Sequence, residues 1–313
     1  VWVITSDESG NTYDDHNLAA FGAAGQNETL YSDSWYPADG TYTVGDTIEL
    51  LLEPAPVEFD QPGMNCAWIA ANATLAPTYN AGLNAYVFDS TSLTLAADLE
   101  LDGCNVILLG SVLKVRSTST YSPVLNISDG GSLIVSVSQD TGAVGTIEAV
   151  SSTHGLHMNI RDGTLALEGG ILRDVAQNTT TDAALLIGPG ASLVMSDNAA
   201  VYGLSTQSPT MATIKVNGGT VDIADSSIIN TGKTGTALWV EASGGSIQNV
   251  IVKNAAVGIQ TYNGAPQVDG FTSTDNTVGV DVYGGLTLPT IYRSPLLSGE
   301  NTGWKTYKID MSG

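Results

Sequence analysis

The sequence VIVKNAAVGI at residues 250–259 returns as FTSTDNTVGV at residues 271–280, an offset of 21 residues. Each copy holds an alternating, strand-like run that ends at an amide or acidic residue, Asn254 in the first copy and Asp275 in the second. A short offset of this kind is typical of a protein built from stacked structural repeats. We therefore predict that each copy is roughly one minimal coil of a β-solenoid.

Polar residues and glycines mark the corners of this repeat. We expect Asn254 and Asp275 to close a strand, with Asn230 at the start of the same ladder. Stacked amides hydrogen-bond along a column and so avoid the roughly 1–3 kcal/mol cost of an unsatisfied buried group. We expect Gly258 and Gly279 to permit a tight corner, because glycine reaches backbone angles that a β-carbon forbids. These positions are predicted to be structural.

Earlier parts of the chain repeat the same phrase with longer connections. Residues 124–127 read VLNI and residues 133–137 read LIVSV, with a glycine-containing turn between them and no helical periodicity. The corresponding turn glycines are unevenly spaced along the chain, at Gly131, Gly163, Gly190, Gly219 and Gly245. This spacing is too variable for a helical solenoid of fixed period, but it is natural for β-coils with variable loops.

A physical reason and a resemblance lead to the same fold. Inward Val, Ile and Leu are shielded only when neighbouring coils stack above and below at about 4.8 Å. The Asn-x-x-Val-Gly-Ile phrase at 254–259 and the Asp-x-x-Val-Gly-Val phrase at 275–280 resemble repeats of the pectate-lyase-like superfamily. The resemblance implies an all-β fold, a right-handed parallel β-helix over residues 83–292. It implies no particular activity, because this fold hosts lyases, hydrolases, epimerases, adhesins and phage tail fibres.

The two ends of the chain differ from the repeats. Residues 1–82 are rich in Trp and Pro, and we predict an N-terminal cap or small β-rich segment that covers the open edge of the first coil. Residues 293–313 are predicted to form a C-terminal strand or cap, or to lead into further sequence.

The charge of the chain excludes several partners. Ten Lys and Arg face 32 Asp and Glu, which gives a net charge of −22. This field repels nucleic acid and anionic membrane surfaces, and it disfavours acidic polysaccharides unless cations intervene. Neutral glycans, copies of the chain and other surface proteins remain as partners. No cofactor motif is present, and calcium is the ion that the Asp-Gly turns would favour.

Several features fit an extracellular or cell-surface protein. No run of about 18 apolar residues exists, so no membrane insertion is expected of this segment. The chain begins at Val1, which fits a processed mature chain or a segment of a longer one. Cys66 and Cys104 either join neighbouring coils by a disulfide or remain buried thiols. Sequons that suit a glycosylated exterior lie at Asn27, Asn72, Asn126 and Asn178.

Carboxylates near the bends are the candidate catalytic groups. Stacked coils bring side chains of neighbouring turns together, and glycoside hydrolysis needs two carboxylates roughly 5–10 Å apart. The candidates are Asp129, Asp162, Asp197, Asp222, Asp225, Asp269, Asp275 and Asp281, with Arg161 and Arg173 as cationic partners. The Gly-His-Gly and Arg-x-Lys phrases of galacturonan hydrolases are absent from the sequence. No catalytic residue is therefore assigned.

Aromatic and histidine side chains offer other kinds of site. Trp239, Tyr262, Tyr283 and Tyr292 would form a stacking platform for neutral sugars if they share one face, and otherwise they are single packing residues at coil corners. His154 and His157 are close in sequence, and a strand would place them on opposite faces, which does not suit a metal site.

These observations favour a non-catalytic extracellular structural or adhesive protein. It would be a component of a cell-surface layer, sheath or fibre, with open β-helix ends that favour self-assembly. Two alternatives stay open: a carbohydrate-active β-helix enzyme, either a polysaccharide lyase or a glycoside hydrolase, and a sugar-binding module.

Overall fold

The computed structural model describes residues 2–6, 12–17, 57–59, 64–71, 77–95, 97–116, 123–150, 155–175, 183–203, 211–232, 234–263, 266–283, 290–291, 296–298 and 306–308. The chain divides into two compact units, Val1–Pro56 and Val57–Gly313. In the first unit, the strands Trp2–Ser6 and Thr12–Asn17 pair in antiparallel fashion. The second unit contains the repeats.

The described elements are short strands and one helical turn, α1 (Cys66–Ala71). The strands in chain order are β1 (Trp2–Ser6), β2 (Thr12–Asn17), β3 (Val57–Phe59), β4 (Met64–Asn65), β5 (Thr78–Asn80), β6 (Ala85–Asp89), β7 (Ser92–Leu95), β8 (Leu99–Asp102), β9 (Asn105–Leu109), β10 (Val112–Val115), β11 (Val124–Ser128), β12 (Ser132–Ser136), β13 (Thr146–Ala149), β14 (His157–Ile160), β15 (Thr164–Glu168), β16 (Ile171–Val175), β17 (Ala183–Ile187), β18 (Ser192–Ser196), β19 (Ala200–Gly203), β20 (Ala212–Asn217), β21 (Thr220–Ala224), β22 (Ser227–Asn230), β23 (Thr236–Glu241), β24 (Gly244–Lys253), β25 (Val257–Tyr262), β26 (Gln267–Thr274), β27 (Val278–Tyr283), β28 (Thr290–Ile291), β29 (Leu296–Ser298) and β30 (Thr306–Lys308).

Parallel pairing organises these strands into three ladders. Ladder A contains β6, β9, β12, β15, β18, β21, β24, β26 and β28. Ladder B contains β3, β7, β10, β13, β16, β19, β22, β24, β26 and β29. Ladder C contains β4, β8, β11, β14, β17, β20, β23, β25, β27 and β30. The chain visits ladders C, A and B in turn, which is the course of a parallel β-helix. The prediction of a right-handed parallel β-helix is confirmed.

Inward and outward side chains alternate along each strand, and the inward side chains fill the core. In β11, Leu125 and Ile127 are fully buried, and they lie in register with Met158 and Ile160 of β14. Burial of each such side chain contributes about 1.5–3 kcal/mol. The described core residues form one continuous cluster from Ile69 to Val280, because every coil contacts the next.

The corner between ladders A and B is built from residues that tolerate a left-handed backbone. Gly169, Asp197, Asp225, Asn249 and Gly270 occupy this corner with φ of 71°, 57°, 46°, 50° and 65°. Gly, Asn and Asp adopt such angles at the lowest cost. A side-chain hydrogen bond also links two successive coils at this corner: Nδ2 of Asn249 donates to Oδ1 of Asp225 at 3.1 Å.

The glycines of the 21-residue repeat act differently from the prediction. Positive φ belongs to Asn254 (62°) and Asp275 (59°), and neither Gly258 nor Gly279 takes a left-handed angle. Gly258 is required for space, because an added β-carbon would lie 2.6 Å from the carbonyl oxygen of Gly279. Strand register places Asn230, Asn254 and Asp275 in one column.

The β-helix extends beyond residues 83–292 at both ends. β3 and β4 pair in parallel with β7 and β8, so the division between the units falls after Pro56 and not at residue 82. α1 places Ile69 in the core at 2% exposure, and β5 lies antiparallel to β6. β28, β29 and β30 continue the ladders, so the predicted C-terminal segment 293–313 contributes strands up to Lys308.

Candidate functional site

Outward side chains of ladder C form a continuous column. Strand register aligns one residue from each of eight successive strands, which are Glu100, Asn126, Asn159, Leu186, Lys215, Trp239, Gln260 and Asp281. We call this set the ladder C column. Because coils repeat at about 4.8 Å, neighbouring members are within side-chain reach. A linear ligand along the helix axis would meet them in turn.

Lys215 lies between Leu186 and Trp239 in the ladder C column. Its side chain is 9% exposed, and Nζ lies 3.0 Å from Oε2 of Glu241. The same Nζ lies 4.3 Å from the ring centroid of Trp239, on the neighbouring strand. A buried ammonium group requires a partner, and here Glu241 supplies the opposite charge while Trp239 supplies its ring face. Lys215 and Glu241 together carry no net charge.

The next strands add hydrogen-bonding and aromatic groups. Nε1 of Trp239 is buried and has no hydrogen-bond acceptor in the described part of the chain. On β25, Oε1 of Gln260 accepts a hydrogen bond of 2.8 Å from the Thr236 hydroxyl, which orients the amide. Tyr262 on the same strand is 42% exposed. Aromatic faces beside a few oriented polar groups are typical of small-molecule and sugar sites.

Acidic side chains gather toward the N-terminal end of ladder C. A cavity of about 490 Å³, which we call the acidic cavity, is lined by Glu100, Asp102, Ser128, Asp129, Arg161 and Asp162. The backbone N–H of Asp129 donates to Oδ1 of Asp162 at 2.6 Å. A side-chain hydrogen bond with Asp102, and then the negative charges of Asp102 and Asp162, raise the pKa of Asp129 above its usual value. A carboxyl whose pKa is raised by neighbouring carboxyls is a group that general acid catalysis can use.

The other predicted carboxylates lie apart from this cavity. Asp197 and Asp225 occupy the corner between ladders A and B, and Asp222 and Asp269 lie on strands of ladder A. Asp275 follows ladder B, with Oδ2 3.8 Å from Nζ of Lys253. Of the predicted set, the structure brings Asp129 and Asp162 together and places Asp281 farther along the same face.

The two predicted arginines lie at different places on the β-helix. Arg161 lines the acidic cavity, whereas Arg173 lies on ladder B with Cζ 5.7 Å from the ring centroid of Tyr202. Among the predicted aromatic residues, Trp239 and Tyr262 face outward on neighbouring strands of ladder C. Tyr283 is in register with Tyr262 on the next strand. Tyr292 lies outside the described residues.

The cysteines and sequons have distinct surroundings. The structure joins Cys66, the first residue of α1, to Cys104, in the turn after β8, with Cα atoms 6.0 Å apart. Asn126 is 8% exposed, and its Nδ2 donates to Oε1 of Glu100 at 2.6 Å. This burial does not suit glycan attachment, because a bulky glycan needs an exposed side chain. The sequons at Asn27, Asn72 and Asn178 have side chains outside the described residues.

His157 is the one histidine of the β-helix within the described residues. His157 is 5% exposed, and its Nδ1 has no hydrogen-bond partner among the described residues. Burial lowers the pKa of His157, and His154 is outside the described residues. The described ranges contain no cluster of three or more His, Cys, Asp or Glu that could hold a metal ion, and calcium binding stays a prediction. They also contain no helix long and apolar enough to cross a bilayer.

The sequence alone does not single out Lys215, Glu241 or Gln260. One signal exists, because Glu241 lies two positions after Trp239 in a strand and therefore shares its face. Contact with Lys215 depends on strand register, and this register is irregular. The step along the chain from Leu186 to Lys215 is longer than the step from Lys215 to Trp239, and the step from Trp239 to Gln260 is shorter still.

Comparison with known proteins shows no family for this chain. No family model and no curated protein matches the chain. Among solved structures, the chain is similar to a crystal structure of a mutant of the periplasmic alginate epimerase AlgG, with 10% identity and a TM-score of 0.25. That match covers 77% of this chain and 84% of the epimerase chain. The fold described above rests on strand pairing and not on this likeness.

Proposed function

We propose that the chain is an extracellular β-helix protein that binds a neutral polysaccharide along the ladder C column without cleaving it. The observation that carries this proposal is the trio of Lys215, Trp239 and Glu241, followed on the next strand by Gln260 and Tyr262. These residues present aromatic surface and oriented polar groups along the axis of a rigid stack, which is the geometry that an extended chain of sugars needs.

The charge of the face favours an uncharged ligand. The positive charge of Lys215 is used by Glu241, and Asp281 lies farther along the column. A carboxylated glycan would therefore meet a neutral pair and an acidic group, within a chain whose net charge is −22. Such binding is compatible with an adhesive role at a cell surface, and self-assembly through other copies remains part of the proposal.

Retardation in native gels containing soluble polysaccharides tests this function. β-Glucan, xyloglucan and galactomannan are the neutral probes, and polygalacturonate and alginate are the anionic ones. We expect retardation by at least one neutral polymer, and about tenfold weaker binding in Tyr262→Ala and Trp239→Ala. Tyr202→Ala is the matched control, because Tyr202 is 37% exposed on ladder B. Stronger retardation by the anionic polymers, or by none of the five, would contradict the proposal.

A second candidate function is glycoside hydrolysis at the acidic cavity. The observation that favours it is the position of Asp102, Asp129 and Asp162 around one cavity, where the backbone N–H of Asp129 donates to Oδ1 of Asp162. The neighbouring carboxyls also raise the pKa of Asp129, and a carboxyl that keeps its proton to higher pH can protonate a leaving group. Reducing-sugar release from the same polymers tests this candidate. Release that disappears in Asp129→Asn but persists in Asp197→Asn would support hydrolysis. Absorbance of unsaturated uronates would indicate a lyase instead.

A further inference from the structure

A second cavity lies at the N-terminal end of the β-helix, beside α1 and the β5–β6 hairpin. Its volume is about 490 Å³, and its walls include Tyr79, Tyr86, Asn84 and the Cys66–Cys104 disulfide. We call it the hairpin cavity. None of the described residues that line it carries a charge, although the whole chain has a net charge of −22. The volume falls in the range of about 300–1,000 Å³ that is typical of small-molecule sites.

Two tyrosine rings form an open angle at this cavity. The ring centroids of Tyr79 and Tyr86 are 5.2 Å apart, and the ring planes meet at 53°. Tyr79 is 51% exposed, and Leu83 at the tip of the same hairpin is 59% exposed. The hairpin therefore presents exposed aromatic and apolar surface beside the cavity.

The exposed ring is held in a fixed orientation. The Tyr79 hydroxyl donates to Oδ1 of Asn84 at 2.6 Å, and Asn84 has a left-handed φ of 49°. Oδ1 of Asn80 accepts hydrogen bonds from the backbone N–H groups of Gly82 and Leu83, at 3.0 and 3.2 Å. The hairpin is therefore ordered before any ligand arrives, which lowers the entropy lost on binding.

We propose that the hairpin cavity binds one sugar residue of a neutral glycan. A pyranose ring has an apolar C–H face that stacks on an aromatic ring, and its hydroxyls accept from an amide N–H. Tyr79 and Tyr86 supply the aromatic surface. Oδ1 of Asn84 is occupied by Tyr79, so its Nδ2 is the group available to donate to a sugar hydroxyl. The uncharged lining offers no ion pair to a uronate or a phosphate. This site is separate from the ladder C column, and the proposal does not rest on binding there.

Amide chemical shifts of the full ¹⁵N-labelled chain test the proposal. The probes are hexasaccharides of β-1,4-glucose, β-1,4-mannose and β-1,4-N-acetylglucosamine, with hexagalacturonate as the anionic probe. We expect at least one neutral probe to shift the amides of Gly82, Gly103 and Cys104 in a saturable way. Tyr79→Ala should weaken that binding about tenfold. Tyr79→Phe, which keeps the ring, should weaken it only about threefold.

Matched variants separate this site from the ladder C column. Tyr202→Ala removes an exposed tyrosine on ladder B and should leave the shifts unchanged. Trp239→Ala should also leave them unchanged, even where it abolishes polysaccharide retardation. The proposal is overturned if no neutral probe shifts these amides, if hexagalacturonate binds more tightly, or if Tyr79→Ala binds as the unaltered chain does.

Discussion

The β-helix has a long-coil region, residues 99–203, and a short-coil region, residues 236–283. In the first, Leu125 pairs with Met158, whereas in the second Ile259 pairs with Val280 after a much shorter stretch of chain. These four inward side chains are all 5% exposed or less. Coil length and core burial are therefore independent of each other.

The extra residues of the long coils are placed at corners. In the short-coil region, the single strand β24 serves both ladder A and ladder B, with Asn249 at the corner. In the long-coil region, residues 137–145 intervene between β12 and β13. The short coils have no spare backbone, so we expect them to be the less tolerant of substitution. Four experiments test this difference.

The largest loss of stability is expected when a larger side chain is placed between two short coils. Gly258→Val would place a β-carbon 2.6 Å from the carbonyl oxygen of Gly279. Backbone cannot yield there without separating the coils, so we expect a loss of about 3 kcal/mol or more in the free energy of unfolding. Urea denaturation measures this loss. Gly142→Ala is the matched change in a long-coil loop, where φ is 70° and no atom lies within 4 Å of the added β-carbon; it should cost roughly 1 kcal/mol.

A smaller loss is expected on removal of a buried amide. Asn276 is fully buried: its Oδ1 accepts from the N–H of Ala255 at 2.7 Å, and its Nδ2 donates to the Val252 carbonyl at 2.9 Å. Asn276→Ala removes both of these buried hydrogen bonds, which should cost about 2–3 kcal/mol. Asn126→Ala in the long-coil region removes one side-chain bond at 8% exposure and should cost about 1 kcal/mol. Equal losses in the two thermal melts would contradict the difference between the regions.

The third experiment concerns the left-handed corner. Asp275 has φ of 59°, and Asn254 occupies the same position in the preceding coil at 62°. Asp275→Asn should therefore change stability by less than about 0.5 kcal/mol, although it removes a partly exposed ion pair with Lys253. Asp275→Val forces a β-branched residue into this angle and should cost about 1–3 kcal/mol. Equal losses in the two variants, which both remove the charge of Asp275, would show that the ion pair and not the backbone angle decides stability here.

The smallest effect depends on pH and belongs to the long-coil region. Burial lowers the pKa of His157 below its ordinary value of 6.5. As pH falls below 6.5, the unfolded chain takes up a proton at His157 before the folded chain does, so stability is lost in that window down to the folded pKa. Residues 236–283 contain no histidine. His157→Gln should flatten this part of the stability profile, measured by urea denaturation on both sides of that ordinary pKa. An unchanged slope would show that His157 does not titrate on unfolding.

The fold was predictable because its signals are local. The 21-residue repeat contains its strand, its corner residue and its glycine within one short phrase, and the structure pairs Val250 with Phe271 and Val257 with Val278 at that offset. The reason for the glycine was predicted incorrectly. A backbone angle can be inferred from one position, but the approach of Gly258 to Gly279 depends on the distance between two coils.

The candidate site was only partly predictable. Alternation along β23 places Trp239 and Glu241 on one face, and the sequence offers Trp239 and Tyr262 either as part of an aromatic platform or as single packing residues. Lys215 contacts them from the neighbouring strand, and the stretch of chain from Lys215 to Trp239 is shorter than the stretch from Leu186 to Lys215 in the coil before it. Insertions at corners change each register separately, so contacts across coils of unequal length cannot be read from spacing. The tyrosine pair of the hairpin cavity was missed for a similar reason, because the part of the chain around Tyr79 has no repeat to align.

The antiparallel strand β5 covers the outer edge of β6, the first strand of ladder A. β6 is bonded on one side to β9 and on the other to β5, and α1 covers the adjoining core with Ile69. A second molecule that extended ladder A at this end would first have to strip β5 from β6. Within the described residues, strand addition at the β6 edge of ladder A therefore competes with the chain's own β5.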